Sequence, residues 1–127
     1  MKMGKMILII DQEKIIQEIT IRLLEDLNLG YELCPIFKSP QELFDFIIGK
    51  KDQIVLIILG DLSDDFLSFD TLLTKINQTE SLKKIPILVY SFYDEHLLEI
   101  EKYSLIIRYL SKDTSDDVFK KTIKEMI

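Results

Sequence analysis

The sequence predicts an α/β fold in which helices cover both faces of a mainly parallel sheet, and three observations support this prediction. Short apolar runs alternate with amphipathic stretches along the chain, which is the pattern of successive strand and helix units. The run Ile54–Leu59 is apolar at every position, as expected of a central strand covered on both faces. The length of 127 residues and the hydrophobic content of 47% suit one domain spanning residues 1–127.

The first strand, Met6–Ile10, is followed by a stretch that predicts the first helix. Apolar residues recur there at helical spacing, namely at Ile15, Ile16, Ile19, Leu23 and Leu27. Asn28-Leu29-Gly30 then supplies a helix stop, because glycine and asparagine tolerate the backbone conformation that commonly follows a last helical turn. The chain therefore begins with a strand and helix unit.

The second strand is predicted over Tyr31–Phe37 and contains a proline. Since Pro35 has no backbone N–H to donate to a sheet, we expect this strand at an edge. Ser39 as N-cap, Pro40 in the first turn and Glu42 three residues after the serine together predict the start of a second helix. Its apolar face comprises Leu43, Phe44, Ile47 and Ile48, and Gly49-Lys50-Lys51 ends it.

The remainder of the chain continues the same alternation. The predicted elements are a third helix marked by Phe69, Leu72, Leu73 and Ile76, a fourth strand over Ile87–Tyr90, a fourth helix over Leu97–Tyr103, a fifth strand over Leu105–Leu110, and a last helix capped by Ser115 that carries Val118, Phe119, Ile123 and Met126. These elements make five βα units, and right-handed crossovers place helices on each face of the sheet.

Acidic residues follow two of the apolar strands. Asp11, Gln12 and Glu13 come directly after the first strand, and Asp61 comes just after the run Ile54–Leu59. If these strands are neighbours in a parallel sheet, their carboxylates meet at one edge and repel each other unless a divalent cation or a proton intervenes. Ligands of such sheets bind beyond the carboxyl ends of the strands, where Ser91 and Lys112 also fall.

Composition excludes several other classes of protein. The net charge of -6 disfavours direct nucleic-acid binding, which needs a concentrated basic surface. With one histidine, His96, a histidine metal site is excluded, and with one cysteine, Cys34, an internal disulfide is excluded. No glycine-rich phosphate loop and no apolar segment long enough to cross a bilayer is present. We therefore expect a soluble, cytoplasmic protein with no membrane partner.

The residues that end the strands resemble those of the receiver domain of bacterial response regulators, and the resemblance covers essentially the whole chain. Asp61 precedes Ser91 by 30 residues, Ile85-Pro86 leads into the fourth strand, and Tyr109-Leu110-Ser111-Lys112 completes the pattern. The resemblance implies a flavodoxin-like (βα)5 fold, a doubly wound sandwich whose five parallel strands take the order 2-1-3-4-5.

The resemblance also implies a role for each residue of the site. Asp61 would be the phosphoacceptor, whose carboxylate attacks a phosphorylated histidine or a small phosphodonor. Lys112 would pair with the phosphoryl oxygens, and Ser91 would offer its hydroxyl to another of them. Tyr109 resembles an aromatic switch residue, whose ring moves inward when Ser91 is drawn to the phosphoryl group. Such a domain accepts a phosphoryl group but is not otherwise an enzyme.

The implied cofactor is Mg²⁺, and its site departs from the family pattern. Asp11, Gln12 and Asp61 would hold the ion together with the backbone carbonyl of Ser63. Gln12 stands where the family has a second carboxylate, and the loss of one charge would weaken binding by ~1 to 3 kcal/mol. Glu13 is a candidate to replace that carboxylate from a longer side chain.

Three further departures concern access to the site and the shape of its loops. Asp65 stands where the family usually has a proline, in the loop after the phosphoacceptor. Phe92 follows Ser91 where a small residue normally leaves the phosphoryl group accessible, so a bulky ring there would slow exchange. Asp113 replaces the usual proline after the lysine. These departures favour a degenerate site, whereas Asp61, Ser91 and Lys112 together favour a working one.

Two hypotheses about function follow, and both place the output in a partner. In the first, a histidine kinase or phosphotransfer protein phosphorylates Asp61, and the fourth helix, fifth strand and fifth helix then present an altered face to a downstream protein or to a second copy of the chain as a homodimer. In the second, the chain is a pseudo-receiver, an interaction or dimerisation module independent of phosphorylation. A third interpretation, an unrelated flavodoxin-like enzyme, lacks any visible cofactor loop.

Overall fold

Five parallel strands form one sheet in the computed structural model, which describes residues 4–62 and 66–127. The strands are β1 (Met6–Ile10), β2 (Glu32–Ile36), β3 (Ile54–Leu59), β4 (Ile87–Ser91) and β5 (Ile107–Ser111). Their order is β2-β1-β3-β4-β5, which confirms the predicted flavodoxin-like topology. The strand β2 lies at an edge, as predicted from Pro35, so the missing N–H of that proline faces no further strand of the described sheet.

Helices cover both faces of the sheet, as predicted. They are α1 (Lys14–Glu25), α2 (Pro40–Lys50), α3 (Phe66–Asn77), α4 (Glu95–Leu98) and α5 (Asp116–Met126), with 3-10 turns at Glu80–Leu82 and Ile100–Lys102. One buried cluster joins the sheet to α2, α3 and α4, and a second joins it to α1 and α5. Within the described ranges, no helix is both long and apolar enough to cross a membrane.

The central strand β3 contributes to both cores, because successive residues of a strand point to opposite faces of the sheet. Ile57 and Leu59 belong to the cluster under α2 and α3, whereas Leu56 and Ile58 belong to the cluster under α1 and α5. The six residues of β3 are buried except for a half-buried Val55. This burial explains why the sequence of the strand shows no polar alternation.

Two helices start as the sequence predicts. The Ser39 hydroxyl accepts a hydrogen bond from the Glu42 N–H at 3.3 Å, with Pro40 as the first helical residue of α2. The Ser115 hydroxyl likewise accepts from the Val118 N–H at 3.3 Å and begins α5. Each serine satisfies a backbone donor that has no carbonyl partner in the first turn of its helix.

The helix α1 buries only part of the apolar stripe by which it was predicted. Leu23, Leu24 and Thr20 are buried against the sheet. Ile15 and Ile19 are 63% and 45% exposed, so these two side chains, one helical turn apart, form an apolar row on the outer surface. The stripe on this helix is therefore wider than the face that packs on the sheet.

The prediction of one continuous fourth helix over Leu97–Tyr103 is wrong. The helix α4 ends at Leu98, Glu99 takes a left-handed conformation with φ of 48°, and a 3-10 turn follows over Ile100–Lys102. Leu98 and Ile100 are both buried. Residues two apart on an α-helix point to nearly opposite sides, so an uninterrupted helix could not bury both against one sheet face.

The fifth strand also begins later than the predicted Leu105, and this register positions the candidate site. Ile87 of β4 lies opposite Ile107 of β5, and Ser91 lies opposite Ser111 at the carboxyl end. The N–H of Lys112 donates to the carbonyl of Ser91 at 3.0 Å. Lys112 therefore leaves the sheet directly beside the residue that ends β4.

Candidate functional site

The carboxyl ends of four strands bring Asp11, Asp61, Ser91 and Lys112 together. Asp11 follows β1 and Asp61 follows β3 by two residues, while Ser91 ends β4 and Lys112 follows β5. The two acidic strand ends are joined by a backbone hydrogen bond from the Gln12 N–H to the Asp61 carbonyl at 2.9 Å. We refer to these four residues as the Asp61 site. Asp11, Asp61 and Ser91 are at most 9% exposed, and the side chain of Lys112 is 1% exposed.

The ammonium group of Lys112 lies between the two carboxylates of the Asp61 site. Its Nζ atom is 2.7 Å from Asp11 Oδ2 and 2.9 Å from Asp61 Oδ2, and the lysine side chain is 1% exposed. The sequence predicted that these acids would repel each other unless a divalent cation or a proton intervened. In the structure a cation of the protein itself lies between them, which offsets part of that repulsion.

Both oxygens of the Asp61 carboxylate receive hydrogen bonds. The Ser91 hydroxyl donates to Oδ1 at 2.5 Å, and the backbone N–H of Phe92 donates to Oδ2 at 3.3 Å in addition to Lys112. Two neutral donors and one cation thus converge on a single acidic group. The same donors suit the oxygens of an anionic group attached to that carboxylate.

Asp11 is buried more deeply than Asp61 and is fixed by the start of α1. The N–H of Glu13 donates to Asp11 Oδ1 at 2.9 Å, and the Gln17 side-chain amide donates to the Asp11 carbonyl at 2.8 Å. Burial raises the pKa of Asp11 because it disfavours the charged carboxylate, and Lys112 opposes this increase. The lysine therefore helps to keep Asp11 ionised.

The candidate ligands for Mg²⁺ are fewer than a full acidic set. Gln12 is half-buried, and Glu13 is exposed and serves as the N-cap residue of α1. In the part of the chain that the structure describes, no group of three or more histidine, cysteine or acidic side chains is placed to hold a metal ion. Ser63, the predicted carbonyl ligand, lies outside the described residues, as do Asp64 and Asp65.

The carboxylates of Asp11 and Asp61 are nevertheless close enough together for one cation to contact both. Oxygen atoms of both carboxylates lie within 3 Å of one point, which is the Lys112 Nζ atom. Mg²⁺ in proteins is commonly bound by one or two carboxylates, with water completing its octahedral shell. The Lys112 ammonium occupies that point, so an ion bound by the same two acids would compete with it, which would lower the affinity of the site for the ion.

Two aromatic residues connect the Asp61 site to the protein surface. The ring of Phe92 lies 5.0 Å from Lys112 Nζ, and this side chain is 54% exposed, so it covers the lysine from the solvent side. The half-buried Tyr109 donates from its hydroxyl to the Tyr93 carbonyl at 2.6 Å. The N–H of Tyr93 in turn donates to the Ser91 hydroxyl at 2.9 Å, which links Tyr109 to Asp61 through two residues.

Gly60 is a residue of the site that the sequence reasoning missed. A β-carbon at this position would lie 2.7 Å from Asp11 Cγ and 3.1 Å from Asp11 Cβ, and closer still to Asp11 Oδ2. The available signal was its position, since Gly60 directly precedes Asp61 at the end of a strand that pairs with β1. A glycine at that point indicates the close approach of another group.

Comparisons with known proteins identify the fold. No family model matches the chain, and no curated protein matches it. Among solved structures, it is similar to the chemotaxis protein CheY4 of Vibrio cholerae, with 18% identity, a TM-score of 0.73 and coverage of 97% of this chain and 98% of the other. It is also similar to the signal receiver domain of a DNA-binding response regulator from Colwellia psychrerythraea, with 19% identity, a TM-score of 0.74 and coverage of 95% and 96%.

A bacteriophytochrome response regulator, RtBRR, gives a TM-score of 0.76 at 20% identity, with 96% of this chain and 77% of the other covered. Structural neighbours of the chain are therefore response regulator receiver domains, which agrees with the resemblance drawn from the strand-end residues. At these identities the likeness establishes the receiver-domain fold. Function has to be argued from the Asp61 site.

Proposed function

We propose that this chain is a receiver domain that accepts a phosphoryl group on the Asp61 carboxylate from a histidine kinase or a phosphotransfer protein. The observation that supports this proposal is the environment of Asp61. Its carboxylate accepts hydrogen bonds from Lys112 and Ser91 beside a second buried acid, Asp11. A buried carboxylate beside a cation and a hydroxyl can accept a phosphoryl group, because these donors can then bond to the phosphoryl oxygens and stabilise their charge.

The reaction balances with groups that the site and the donor supply. An oxygen of Asp61 forms a bond to phosphorus while the bond from phosphorus to the donor's imidazole nitrogen breaks, and the imidazole keeps that electron pair and takes up a proton from solvent. The product is an acyl phosphate on Asp61. Lys112 and the Ser91 hydroxyl contact the Asp61 oxygens, and they would stabilise the negative charge of the added phosphoryl oxygens.

We further propose that phosphorylation requires Mg²⁺, held by Asp11 and Asp61 with Gln12 beside them. When bound, the ion would offset the charge shared by the carboxylate and the incoming phosphoryl group. Because Gln12 provides a neutral amide oxygen, the change Gln12→Asp should tighten Mg²⁺ binding and speed phosphorylation. If neither improves, Gln12 does not weaken the site.

The output of such a switch would be a protein surface. Ser91 and Tyr109 are linked by hydrogen bonds through Tyr93. A shift of the Ser91 side chain toward a phosphoryl group would therefore change the position of Tyr109 on β5. Near this strand, Val118 of α5 is 44% exposed and Ile106, the residue before β5, is 53% exposed. We propose the surface formed by α4, β5 and α5 as the contact for a downstream protein or for a second copy of the chain.

Intact mass after incubation with acetyl phosphate and Mg²⁺ tests phosphorylation directly. We expect the mass of one phosphoryl group on the wild-type chain, none on Asp61→Asn, and loss of the added mass with hydroxylamine, which cleaves acyl phosphates. Asp113→Asn is the matched control, because Asp113 is an exposed acid next to Lys112. Equal labelling of wild type and Asp61→Asn would contradict the proposed acceptor.

A second candidate function, a phosphorylation-independent interaction module, is favoured by one specific observation. The exposed ring of Phe92 lies 5.0 Å from Lys112 Nζ, on the solvent side of the Asp61 site. The resemblance leads us to expect a small residue there, one that leaves the phosphoryl group accessible, so this ring favours a site that does not exchange a phosphoryl group. No mass gain across a wide Mg²⁺ range, together with unchanged NMR shifts at Tyr93 and Tyr109 in Asp61→Asn, would support this candidate over the first.

A further inference from the structure

Gly60 lies opposite Asp11 on the neighbouring strand. Ile10 pairs with Leu59 in the parallel register of β1 and β3, so the next residues along both strands are Asp11 and Gly60. Two backbone bonds fix this pairing, from the Gly60 N–H to the Ile10 carbonyl at 2.6 Å and from the Gln12 N–H to the Asp61 carbonyl at 2.9 Å. The strand ends are therefore held in register up to the site itself.

The side chain of Asp11 occupies the space that a side chain at position 60 would need. A β-carbon on Gly60 would lie 2.7 Å from Asp11 Cγ and 3.1 Å from Asp11 Cβ. Backbone conformation does not explain the glycine, because the described glycines with positive φ are Gly4 and Gly30. Space for the Asp11 carboxylate is thus the reason for a glycine at this position.

We propose that Gly60 is a positioning residue that lets the Asp11 carboxylate cross from β1 toward β3 and reach Lys112. The Oδ2 atom of Asp11 that crosses over Gly60 is the one that lies 2.7 Å from Lys112 Nζ. Any side chain at position 60 would push Asp11 away from Lys112 and from Asp61. Since Gln12 supplies no charge, Asp11 is the acid of the first strand end on which the site depends.

The chemical consequence of this inference rests on the proposed function, but its geometric part does not. If the Asp11 carboxylate moved away from Asp61, the two acids could no longer bind the same metal ion. Substitution of a residue that supports a metal ligand typically changes metal affinity by about 10- to 100-fold. For Gly60→Ala we therefore expect the Mg²⁺ concentration at half saturation, followed by NMR shifts of site amides, to rise about tenfold or more. Gly49→Ala is the matched control, because a β-carbon there meets nothing within 4 Å.

A double-mutant cycle on thermal unfolding tests the geometric part without Mg²⁺ or phosphorylation. Gly60→Ala should lower the unfolding midpoint in the wild-type background and should have a clearly smaller effect in the Asp11→Ala background, where the obstructed carboxylate is absent. Equal losses in both backgrounds would overturn the inference. If Gly60→Ala does not fold on its own, the double variant with Asp11→Ala decides. If the double variant folds, the inference is supported. If the double variant does not fold although Asp11→Ala alone does, the inference is overturned.

The two proposals can fail separately. A wild-type chain that gains no phosphoryl mass, combined with strong coupling between positions 60 and 11, would reject the proposed function and retain Gly60 as the residue that positions Asp11. Phosphorylation of Asp61 without that coupling would retain the function and reject the role of Gly60. An Mg²⁺ half-saturation concentration that is the same in Gly60→Ala and wild type would reject the chemical consequence of the inference, whereas the double-mutant cycle decides its geometric part.

Discussion

Two lysines of this chain each lie close to an aspartate and an aromatic ring, but in different surroundings. Lys112 lies 2.9 Å from an Asp61 oxygen and 5.0 Å from the ring of Phe92, and its side chain is 1% exposed. Lys102 lies 2.9 Å from an Asp70 oxygen and 5.3 Å from the ring of Tyr103, and its side chain is 47% exposed. The two pairs have nearly equal distances and differ mainly in burial.

The difference in burial shows which contact the fold depends on. Water screens the charges of an exposed pair and solvates either partner when the other is removed, so the pair contributes little to stability. Removal of one partner from a buried pair leaves a charge with neither water nor a counter-ion. At the Asp61 site two carboxylates would be left together, since Lys112 contacts both Asp11 and Asp61.

The largest expected effect is that of Lys112→Met. We expect the free energy of unfolding to fall by about 3 kcal/mol, because two buried carboxylates lose their shared cation. The measurement is urea denaturation at neutral pH. Mg²⁺ should restore more stability to this variant than it adds to wild type, since the ion would replace the missing charge between the acids. A loss no larger than that of Lys102→Met would show that burial does not distinguish the two pairs.

Ser91→Ala should have the next largest effect. The change removes the hydrogen bond that Asp61 Oδ1 receives and the acceptor that the Tyr93 N–H uses. Loss of a buried hydrogen-bond partner of a charged group costs about 2 kcal/mol, which urea denaturation resolves. Ser104→Ala, at an exposed serine next to Tyr103, is the control and should leave stability nearly unchanged. Equal losses at both serines would argue against a special role of the Asp61 site in stability.

Lys102, Asp70 and Tyr103 form a group that we call the exposed cluster, although Tyr103 itself is buried. Tyr103→Phe tests this buried residue, with an expected cost of about 1 kcal/mol at neutral pH. Burial and the hydrogen bond to Asp70 raise the pKa of Tyr103 to about 12, from an ordinary value of 10.0. A raised pKa means that the folded state favours the neutral phenol, so this stability is complete below pH 10 and is lost as the pH rises toward about 12. Wild type should therefore lose more stability than Tyr103→Phe over that range, which unfolding at stepped alkaline pH would measure.

The same variant should change the titration of Asp70. The pKa of Asp70 is lowered first by the hydrogen bond from Tyr103 and then by Lys102. Without the Tyr103 hydroxyl, the Asp70 pKa should move back toward its ordinary value, as followed by NMR of the carboxyl carbon. Because a lowered pKa stabilises the fold above the pKa of the unfolded chain, stability in acid should fall less steeply in the variant. An unchanged Asp70 titration would contradict the assigned cause.

The smallest expected effect is that of Lys102→Met. Asp70 and Lys102 are 46% and 47% exposed, so water solvates either charge when its partner is removed. Loss of the ion pair should therefore change the urea midpoint of unfolding little. High salt screens this ion pair, so the small difference in urea midpoint between wild type and Lys102→Met should decrease further at high salt. A loss comparable to that of Lys112→Met would mean that the exposed cluster is a structural centre in its own right.

Particular residues show how far the sequence could predict this fold. Pro35 placed β2 at an edge, the unbroken apolar run placed β3 in the centre, and Ser39 and Ser115 marked two helix starts, because each of these signals depends on the local chain. The break at Glu99 was missed. Apolar residues at helical spacing favoured a continuous helix there, and only the need to bury both Leu98 and Ile100 on one face explains the interruption.

The order of the elements, the parallel sheet and the kinds of residue that end the strands could all be predicted from the amino-acid sequence. The three-dimensional fold was needed to show that Lys112, 51 residues after Asp61, lies between Asp61 and Asp11, and that Gly60 leaves space for the Asp11 carboxylate. Periodicity and helix caps act between residues that are close along the chain. The distances between side chains of different strands depend instead on register and packing, which no local pattern encodes.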